Sequence, residues 1–224
     1  MKENDVILKR QSTQIFFKNG DTDFFFNWLL GIGEIFGFSH GELYYLAQRL
    51  GNSPKPDDWK NVFLSHVNYL EQEASNSGLS EQTKAQYYLA QTYSLRSAIQ
   101  FTDPFSDEYL PTVRQMEKVF SSAIHSLGVP IEKLTIPYQG SYLPGYYLHS
   151  GDNCPTLIMI GGGDTYREDL FYFAGYPGWI RNYNVLMVDL PGQGSNPSRG
   201  LVFDVDASIP ISLCIDWLEN RNPK

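Results

Sequence analysis

The sequence predicts an α/β fold in which a helical region, residues 1–128, precedes a sheet region, residues 129–224. Apolar residues recur with a helical period up to about residue 127, and beyond it they fall into short strand-like runs. Two of those runs end in glycine-rich turns, which is typical of buried parallel strands. We therefore expect two domains that meet near residue 128.

The helical region is expected to contain five amphipathic helices. Ser, Thr, Asp and Pro favour helix starts, and Gly favours helix ends. The signals are Asp21-Thr22-Asp23 for the first helix, Gly41 and Gly51 for the second, Pro56 for the third, Ser80 for the fourth, and Pro111 and Gly128 for the fifth. Because each helix has one apolar face, the five should pack on one another or on a neighbouring layer.

The sheet region is expected to form an antiparallel hairpin followed by two β-α units. Leu134, Ile136 and Tyr138 alternate with polar residues, as in a half-buried strand, and the return strand is expected at 145–149. The later elements are a strand at 156–160, a helix at 167–180, a strand at 184–189 and a helix at 209–219. This order gives a parallel sheet that is entered through an antiparallel edge.

Composition excludes several classes of function. The formal charge of −8 argues against nucleic acid or an anionic membrane as a partner. Cys154 and Cys214 are far apart and beside apolar residues, so we expect buried reduced thiols. Neither a metal-ligand spacing nor a phosphate-binding loop is present, and no cofactor is expected. With no apolar signal segment at its start, the chain is expected to be cytoplasmic.

Two glycine-rich motifs are the candidate functional features. Gly161-Gly162-Gly163-Asp164 follows the run 156–160, and Leu190-Pro191-Gly192-Gln193-Gly194 follows the run 184–189. Ligands of α/β sheets bind at such strand ends, and glycine lets a backbone N–H approach a substrate oxygen closely. The first motif is either an oxyanion-binding loop or a turn that leads into the next helix. The second either borders a substrate pocket or is a tight turn.

Together, the two motifs and their spacing resemble the α/β-hydrolase superfamily. Within it the chain is similar to hydrolases with a helical N-terminal cap: carbon–carbon hydrolases of the 2,6-dihydroxypseudooxynicotine hydrolase type, fungal pigment-shortening hydrolases and fermentation–respiration-switch-like esterases. The residues that carry the resemblance are 158–165, Glu168-Asp169 and 189–194, with Gly41-Glu42, Asp58-Trp59, 90–93, Arg96 and Ala98 in the helical region. It implies a helical lid over the carboxyl edge of a larger sheet, and a Ser-Asp-His triad.

The resemblance also implies roles for individual residues. Gly163 would supply an oxyanion-stabilising N–H, and Gly162 would shape the turn. Asp164 lies where the carbon–carbon hydrolases carry an acidic residue that contributes to catalysis. The alternative for Asp164 is a surface or N-cap aspartate of the following helix.

One departure from the family pattern limits the expected activity. No Gly-x-Ser-x-Gly occurs in residues 129–224, and none of His40, His66, His125 and His149 matches the catalytic position. We therefore interpret the chain as the N-terminal portion of a serine hydrolase that acts on an ester or carbon–carbon acyl bond. Our preferred explanation is that the chain is truncated. It is expected to be inactive alone. The alternatives are half of a split enzyme and a non-catalytic interaction module.

The partner implied is a small acyl or aromatic substrate, and a homodimer is an open alternative. In the fold that the chain resembles, the strand at 156–160 lies between the next strand and a fifth strand, which would follow residue 224. Without that fifth strand, 157–160 would present an apolar open edge. We therefore expect residues 1–224 to be poorly stable unless they form a dimer or exchange strands.

Overall fold

The computed structural model describes residues 14–33, 35 and 37–221. Its first part is helical, as predicted, and consists of α1 (Gly20–Gly33), α2 (His40–Leu50), α3 (Pro56–Ala74), α4 (Glu81–Ala98) and α5 (Tyr109–Leu127). We refer to these helices as the helical cap. Three predicted helix starts differ from the structure. Helix α2 begins at His40 rather than Gly41, and Ser39 caps it, since its Oγ accepts the N–H of Glu42 at 3.1 Å. Asn19, rather than Asp21-Thr22-Asp23, caps α1, since its Oδ1 accepts the N–H groups of Asp21 and Thr22, both at 3.0 Å. Helix α5 begins at Tyr109, before Pro111.

Helices give way to strands where the hydrophobic period changes. Gly128 ends α5 in a left-handed conformation, with φ 67°, and the first strand begins at Ile131. The division into two domains stays a prediction, because the main apolar core crosses this point. Leu29 of α1 and Phe120 of α5 belong to the same buried cluster as Val185 in the sheet.

Four strands form one sheet: β1 (Ile131–Tyr138), β2 (Ser141–Leu148), β3 (Thr156–Ile160) and β4 (Asn184–Val188). Their spatial order is β1-β2-β4-β3, with β3 and β4 parallel and the other two pairs antiparallel. This confirms a parallel pair entered through an antiparallel hairpin. Strand β2 begins at Ser141, earlier than the predicted 145, because the ladder with β1 continues to the turn at Gln139 and Gly140.

The connection from β3 to β4 was predicted as one helix over 167–180. The structure divides it into α6 (Arg167–Leu170), a π-helical turn (Phe171–Gly175) and α7 (Tyr176–Trp179). Gly175 lies against β4, where an added Cβ would be 2.5 Å from the Sδ of Met187. Close packing of the crossover on the sheet therefore requires glycine at this position.

The two faces of the sheet contribute to two different cores. Tyr146, Val185 and Met187 pack against the helical cap and the crossover, whereas Tyr147 and Leu186 pack against α8 (Ser208–Arg221). This is the two-residue period expected of strands. In the part of the chain that the structure describes, no helix combines the length and apolar character needed to cross a membrane.

The cysteine prediction is confirmed in part. Both thiols are free, and Cys214 is buried against the sheet. Cys154, by contrast, is only half-buried, since it lies in the loop before β3 rather than in an element that packs on the core.

Strand β3 lies at one edge of the described sheet and pairs with β4 on one side. Its residues are less buried than those of β4, and Leu157 is 39% exposed. The open edge expected from the sequence is therefore present among the described residues. The low stability and dimerisation that it implies stay predictions.

Candidate functional site

The two glycine-rich loops meet beyond the carboxyl ends of β3 and β4. The side chain of Gln193 joins them, because its Nε2 donates to the carbonyl oxygens of Gly161 and Gly162, both at 2.7 Å. Its Oε1 accepts the N–H of Leu190 at 2.8 Å. The two motifs that the sequence singled out therefore form one local structure at the strand ends.

A cavity of about 170 Å³ opens beside the joined loops. The helical cap and the sheet region both contribute to its wall. The lining residues include Arg96, Gln100 and Tyr109 from the first part of the chain and Gly163, Asp164, Tyr166 and Phe203 from the second. The cap therefore covers the strand ends, which is where ligands of α/β folds bind.

Gly163 presents its backbone to this cavity. Within the residues that the structure describes, no hydrogen-bond acceptor is recorded for its N–H. Gly162 lies in the turn just before it, where its carbonyl oxygen accepts the N–H of Thr165 at 3.2 Å. A backbone N–H that borders a cavity without an internal acceptor is able to bind an oxygen of a ligand.

Asp164 is exposed and also lines the cavity. Its carbonyl oxygen accepts a hydrogen bond from Nη2 of Arg96. The N-cap of α6 is Tyr166, whose N–H is bound by the carboxylate of Asp169 at 2.9 Å. Of the alternatives for Asp164, the N-cap role is therefore wrong, because the helix begins later in the chain.

A buried ion pair attaches the cap to this loop. Nε of Arg96 lies 3.2 Å from Oδ2 of Asp169, and the two side chains are 3% and 0% exposed. Tyr93 donates its hydroxyl to Oδ1 of the same aspartate at 3.0 Å. Burial is the largest effect and by itself would lower the pKa of Arg96, but the combined interactions with Asp169, Tyr166 and Tyr93 raise that pKa above its usual range. Arg96 is therefore a permanent cation, and it connects α4 with the first glycine motif.

Two tyrosines close the inner wall of the cavity. The hydroxyls of Tyr109 and Tyr166 are 2.6 Å apart, and Tyr109 donates to the carbonyl oxygen of Gly194 at 2.9 Å. Tyr166 must then donate to Tyr109, so both protons are used within the protein. Burial raises the pKa of each tyrosine, so both stay neutral.

A second buried charge cluster lies next to the same loops. The backbone N–H and Nη1 of Arg167 donate to Asp189 at 2.7 and 2.8 Å, and Nη2 donates to Glu117 at 2.6 Å. The hydroxyl of Tyr146 donates to Glu168 at 2.6 Å. Burial raises the pKa of Asp189 to about 7 and also raises the pKa of Glu168, although the guanidinium of Arg167 opposes both shifts.

The glycines of the second motif are required by close contacts. Gly192 has φ +88°, and an added Cβ would lie 2.4 Å from the ring of Phe203. Gly194 has φ +53°, and an added Cβ would lie 2.2 Å from the carboxylate of Asp189. The ring of Phe203 therefore packs directly on the loop, and it is 59% exposed on its other side.

The histidines do not provide a general base at this site. His66 has its Nδ1 2.8 Å from Oγ of Ser94 and its Nε2 2.9 Å from Glu42. This spacing is that of a catalytic triad, but Ser94 is fully buried and its hydroxyl also bonds to Ala90 O. A substrate cannot reach it, so the three residues hold α2, α3 and α4 together. Among the described residues, no group of three or more His, Cys, Asp or Glu side chains is arranged to bind a metal ion.

Sequence reasoning did not find several residues of the site. No role is predicted for the side chain of Gln193, although it lies in the second glycine-rich motif. Arg96 enters the prediction only as one of the residues that carry the resemblance. Tyr109 and Phe203 gave no signal, because nothing in a single sequence shows that residues so far from the glycine motifs reach the same cavity.

Comparison with known proteins places the chain among relatives of the α/β-hydrolases. No protein-family model matches it. It is 27% identical to the hydrolyase ccsE of Aspergillus clavatus over 82% of this chain and 46% of that protein. It is 26% identical to the α/β-hydrolase ucsC of an Acremonium species over 73% of this chain and 38% of that protein.

Solved structures show the same fold. The crystal structure of 2,6-dihydroxy-pseudo-oxynicotine hydrolase matches with a TM-score of 0.65 at 22% identity, over 84% of this chain and 52% of that one. The chain thus spans between 38% and 52% of the length of these relatives. The helical cap and the small sheet correspond to a partial hydrolase fold, which confirms the fold class and the resemblance predicted from the sequence.

Proposed function

We propose that this chain provides the lid and the oxyanion-stabilising part of a serine α/β-hydrolase that cleaves an ester or a carbon–carbon acyl bond. Two observations carry the proposal: Gly163 lines a cavity, and its N–H has no acceptor among the described residues. The relationship to α/β-hydrolases supports it, because such a loop is part of their catalytic machinery.

The mechanism follows from the chemistry of acyl transfer. A serine attacks the carbonyl carbon, and a negative charge develops on the carbonyl oxygen. The N–H of Gly163 donates to that oxygen, and a hydrogen bond to a charged acceptor is stronger than one between neutral groups. The sheet region, residues 129–224, contains no Gly-x-Ser-x-Gly. The match at 37–41 lies in the helical cap, where Oγ of Ser39 accepts the N–H of Glu42 at 3.1 Å at the start of α2. The serine and its base would therefore come from further chain or from a second chain.

The cavity suits a small acyl or aromatic group. Its volume is about 170 Å³, and the partly exposed ring of Phe203 offers an apolar face. We assign to the exposed carboxylate of Asp164 an acid–base role toward the bound substrate, since it is an acidic side chain that lines the cavity and forms no ion pair with the described residues.

A matched pair of variants tests the proposal. Gly163→Pro removes the N–H, whereas Gly163→Ala keeps it and places a Cβ at an ordinary 3.6 Å from Phe203. Benzoate, a product-like carboxylate, is titrated into ¹⁵N-glycine-labelled protein. We expect the Gly163 signal of the wild type to shift, the Ala variant to bind within about twofold of the wild type, and the Pro variant to lose binding. Equal binding by both variants would refute the role of Gly163.

An ester assay tests the absence of a nucleophile. Residues 1–224 are expected to hydrolyse p-nitrophenyl butyrate no faster than buffer does, because an oxyanion site without a nucleophile gives only a small residual rate. Turnover well above the buffer rate that disappears in Gly163→Pro would show that a nucleophile lies within these residues.

A further inference from the structure

We propose that Gln193 is a positioning residue that sets the direction of the Gly163 N–H. The inference rests on the proposed function of Gly163, and it assigns a role to a side chain that does not itself touch the substrate. Gln193 is 4% exposed and does not line the cavity. The side chain contacts Gly161 and Gly162, and we call the segment Gly161-Gly162-Gly163 the glycine loop. We therefore expect any effect of the Gln193 side chain on the reaction to be transmitted through this loop.

The contacts of Gln193 fix its amide group at both ends. The N–H of Leu190 donates to Oε1 at 2.8 Å, which identifies Nε2 as the nitrogen that faces the first motif. Nε2 then donates one hydrogen to Gly161 O and one to Gly162 O, each at 2.7 Å. All the strong hydrogen-bonding groups of the buried amide are used, and two of its bonds fix carbonyls of the glycine loop.

The geometry of the peptide group means that these hydrogen bonds also fix the direction of the Gly163 N–H. The carbonyl of Gly162 and the N–H of Gly163 belong to one planar trans peptide, in which the C=O and N–H bonds point in opposite directions. While Gln193 holds the Gly162 oxygen, the Gly163 N–H must point away from Gln193. Two adjacent glycines have no Cβ to restrict rotation of this peptide, so the restraint has to come from outside the loop.

A neighbouring amide in the same loop offers a matched control. Nδ2 of Asn196 donates to the carbonyl oxygens of Asp189 and Leu190, both at 2.8 Å, and it does not contact the glycine loop. Gln193→Met and Asn196→Leu each replace a buried amide by an apolar side chain of similar size and each remove two donated bonds. A role limited to stability predicts the same behaviour for both variants.

The experiment follows the Gly163 signal of ¹⁵N-glycine-labelled residues 1–224 with and without benzoate, beside urea denaturation of each variant. We expect Gln193→Met to weaken benzoate binding by at least about fivefold and to move the free Gly163 signal. Asn196→Leu should lose stability but keep wild-type binding. Wild-type binding by Gln193→Met, or an equal loss in both variants, would overturn the inference.

The same data separate the two proposals. If benzoate leaves the wild-type Gly163 signal unchanged, the proposed function of Gly163 fails. In that case a Gly163 signal that moves in Gln193→Met and not in Asn196→Leu still supports positioning by Gln193, and a signal that moves in neither variant refutes it.

Discussion

Arg96 shows how much one side chain of the cap contributes to the site. Its guanidinium pairs with Asp169, donates to the carbonyl of Asp164, and lies 4.3 Å above the ring of Tyr166. All three partners lie on the segment that follows β3. Nη1 of Arg96 donates to Gln100 on the cap side. A cation that is 3% exposed and has these contacts on both sides holds the cap against that segment.

Replacing Arg96 with methionine should therefore destabilise the protein by about 3–5 kcal/mol, because the Asp169 carboxylate would stay buried without its partner. Urea denaturation measures this loss. The exposed pair between Lys60 and Glu108, 2.9 Å apart, provides the control, and Lys60→Met should cost less than about 1 kcal/mol. Equal losses in the two variants would show that the buried pair has no special role.

The two cysteines should differ in reactivity. Burial raises the pKa of the Cys214 thiol to about 11, so little of it is the reactive thiolate at pH 8. Cys154 is half-buried, and we expect iodoacetamide to modify it at least about tenfold faster. Peptide mass spectrometry over time measures both rates, and in urea the difference should disappear. Equal rates in the folded protein would contradict the packing of α8 on the sheet.

At the scale of elements, β3 is an edge strand, whereas its neighbour β4 is paired on both sides. It pairs on one side with β4, while its other edge is open among the described residues. Unpaired N–H and C=O groups along an apolar strand favour pairing with another chain.

We expect residues 1–224 to self-associate through this edge and Leu157→Lys to reduce the association, because a charge on an edge strand opposes strand pairing. Sedimentation velocity at several concentrations measures it. Leu127→Lys is the control, since Leu127 is 38% exposed and Leu157 39%, but it lies at the end of α5. A monomeric wild-type chain, or equal effects of both substitutions, would contradict the prediction.

For the whole molecule, local sequence signals predicted the helices and strands. Features that depend on contacts between residues distant in the sequence were not predicted. Gly51, Pro56 and Gly128 mark helix boundaries correctly because capping depends on a few neighbouring residues. The glycine motifs were placed at the strand ends for the same reason. The link from Arg96 to Asp169 spans 73 residues, and no local pattern contains it. The close approach of Gly175, in the π-helical turn, to Met187 in β4 is likewise a contact that no local pattern contains.

The cluster around Arg167 joins α5, α6 and the end of β4, so its titration should affect the stability of the whole fold. Burial raises the pKa of Asp189 to about 7 and raises that of Glu168, whereas both are ordinary carboxyls in the unfolded chain. The folded state therefore binds protons more tightly. The stabilisation is fully present below the unfolded pKa and is lost as the pH rises through the folded one.

The free energy of unfolding should consequently fall between pH 5 and pH 8, by at most about 1.4 kcal/mol per pH unit for each proton. Urea denaturation at a series of pH values measures the slope. Asp189→Asn should reduce it, because the amide keeps the shape of the carboxyl but does not titrate in this range. Asp216→Asn, at an exposed position on α8, should leave the slope unchanged. A flat profile for the wild type would mean that Arg167 keeps Asp189 fully ionised, and that the pair outweighs the effect of burial.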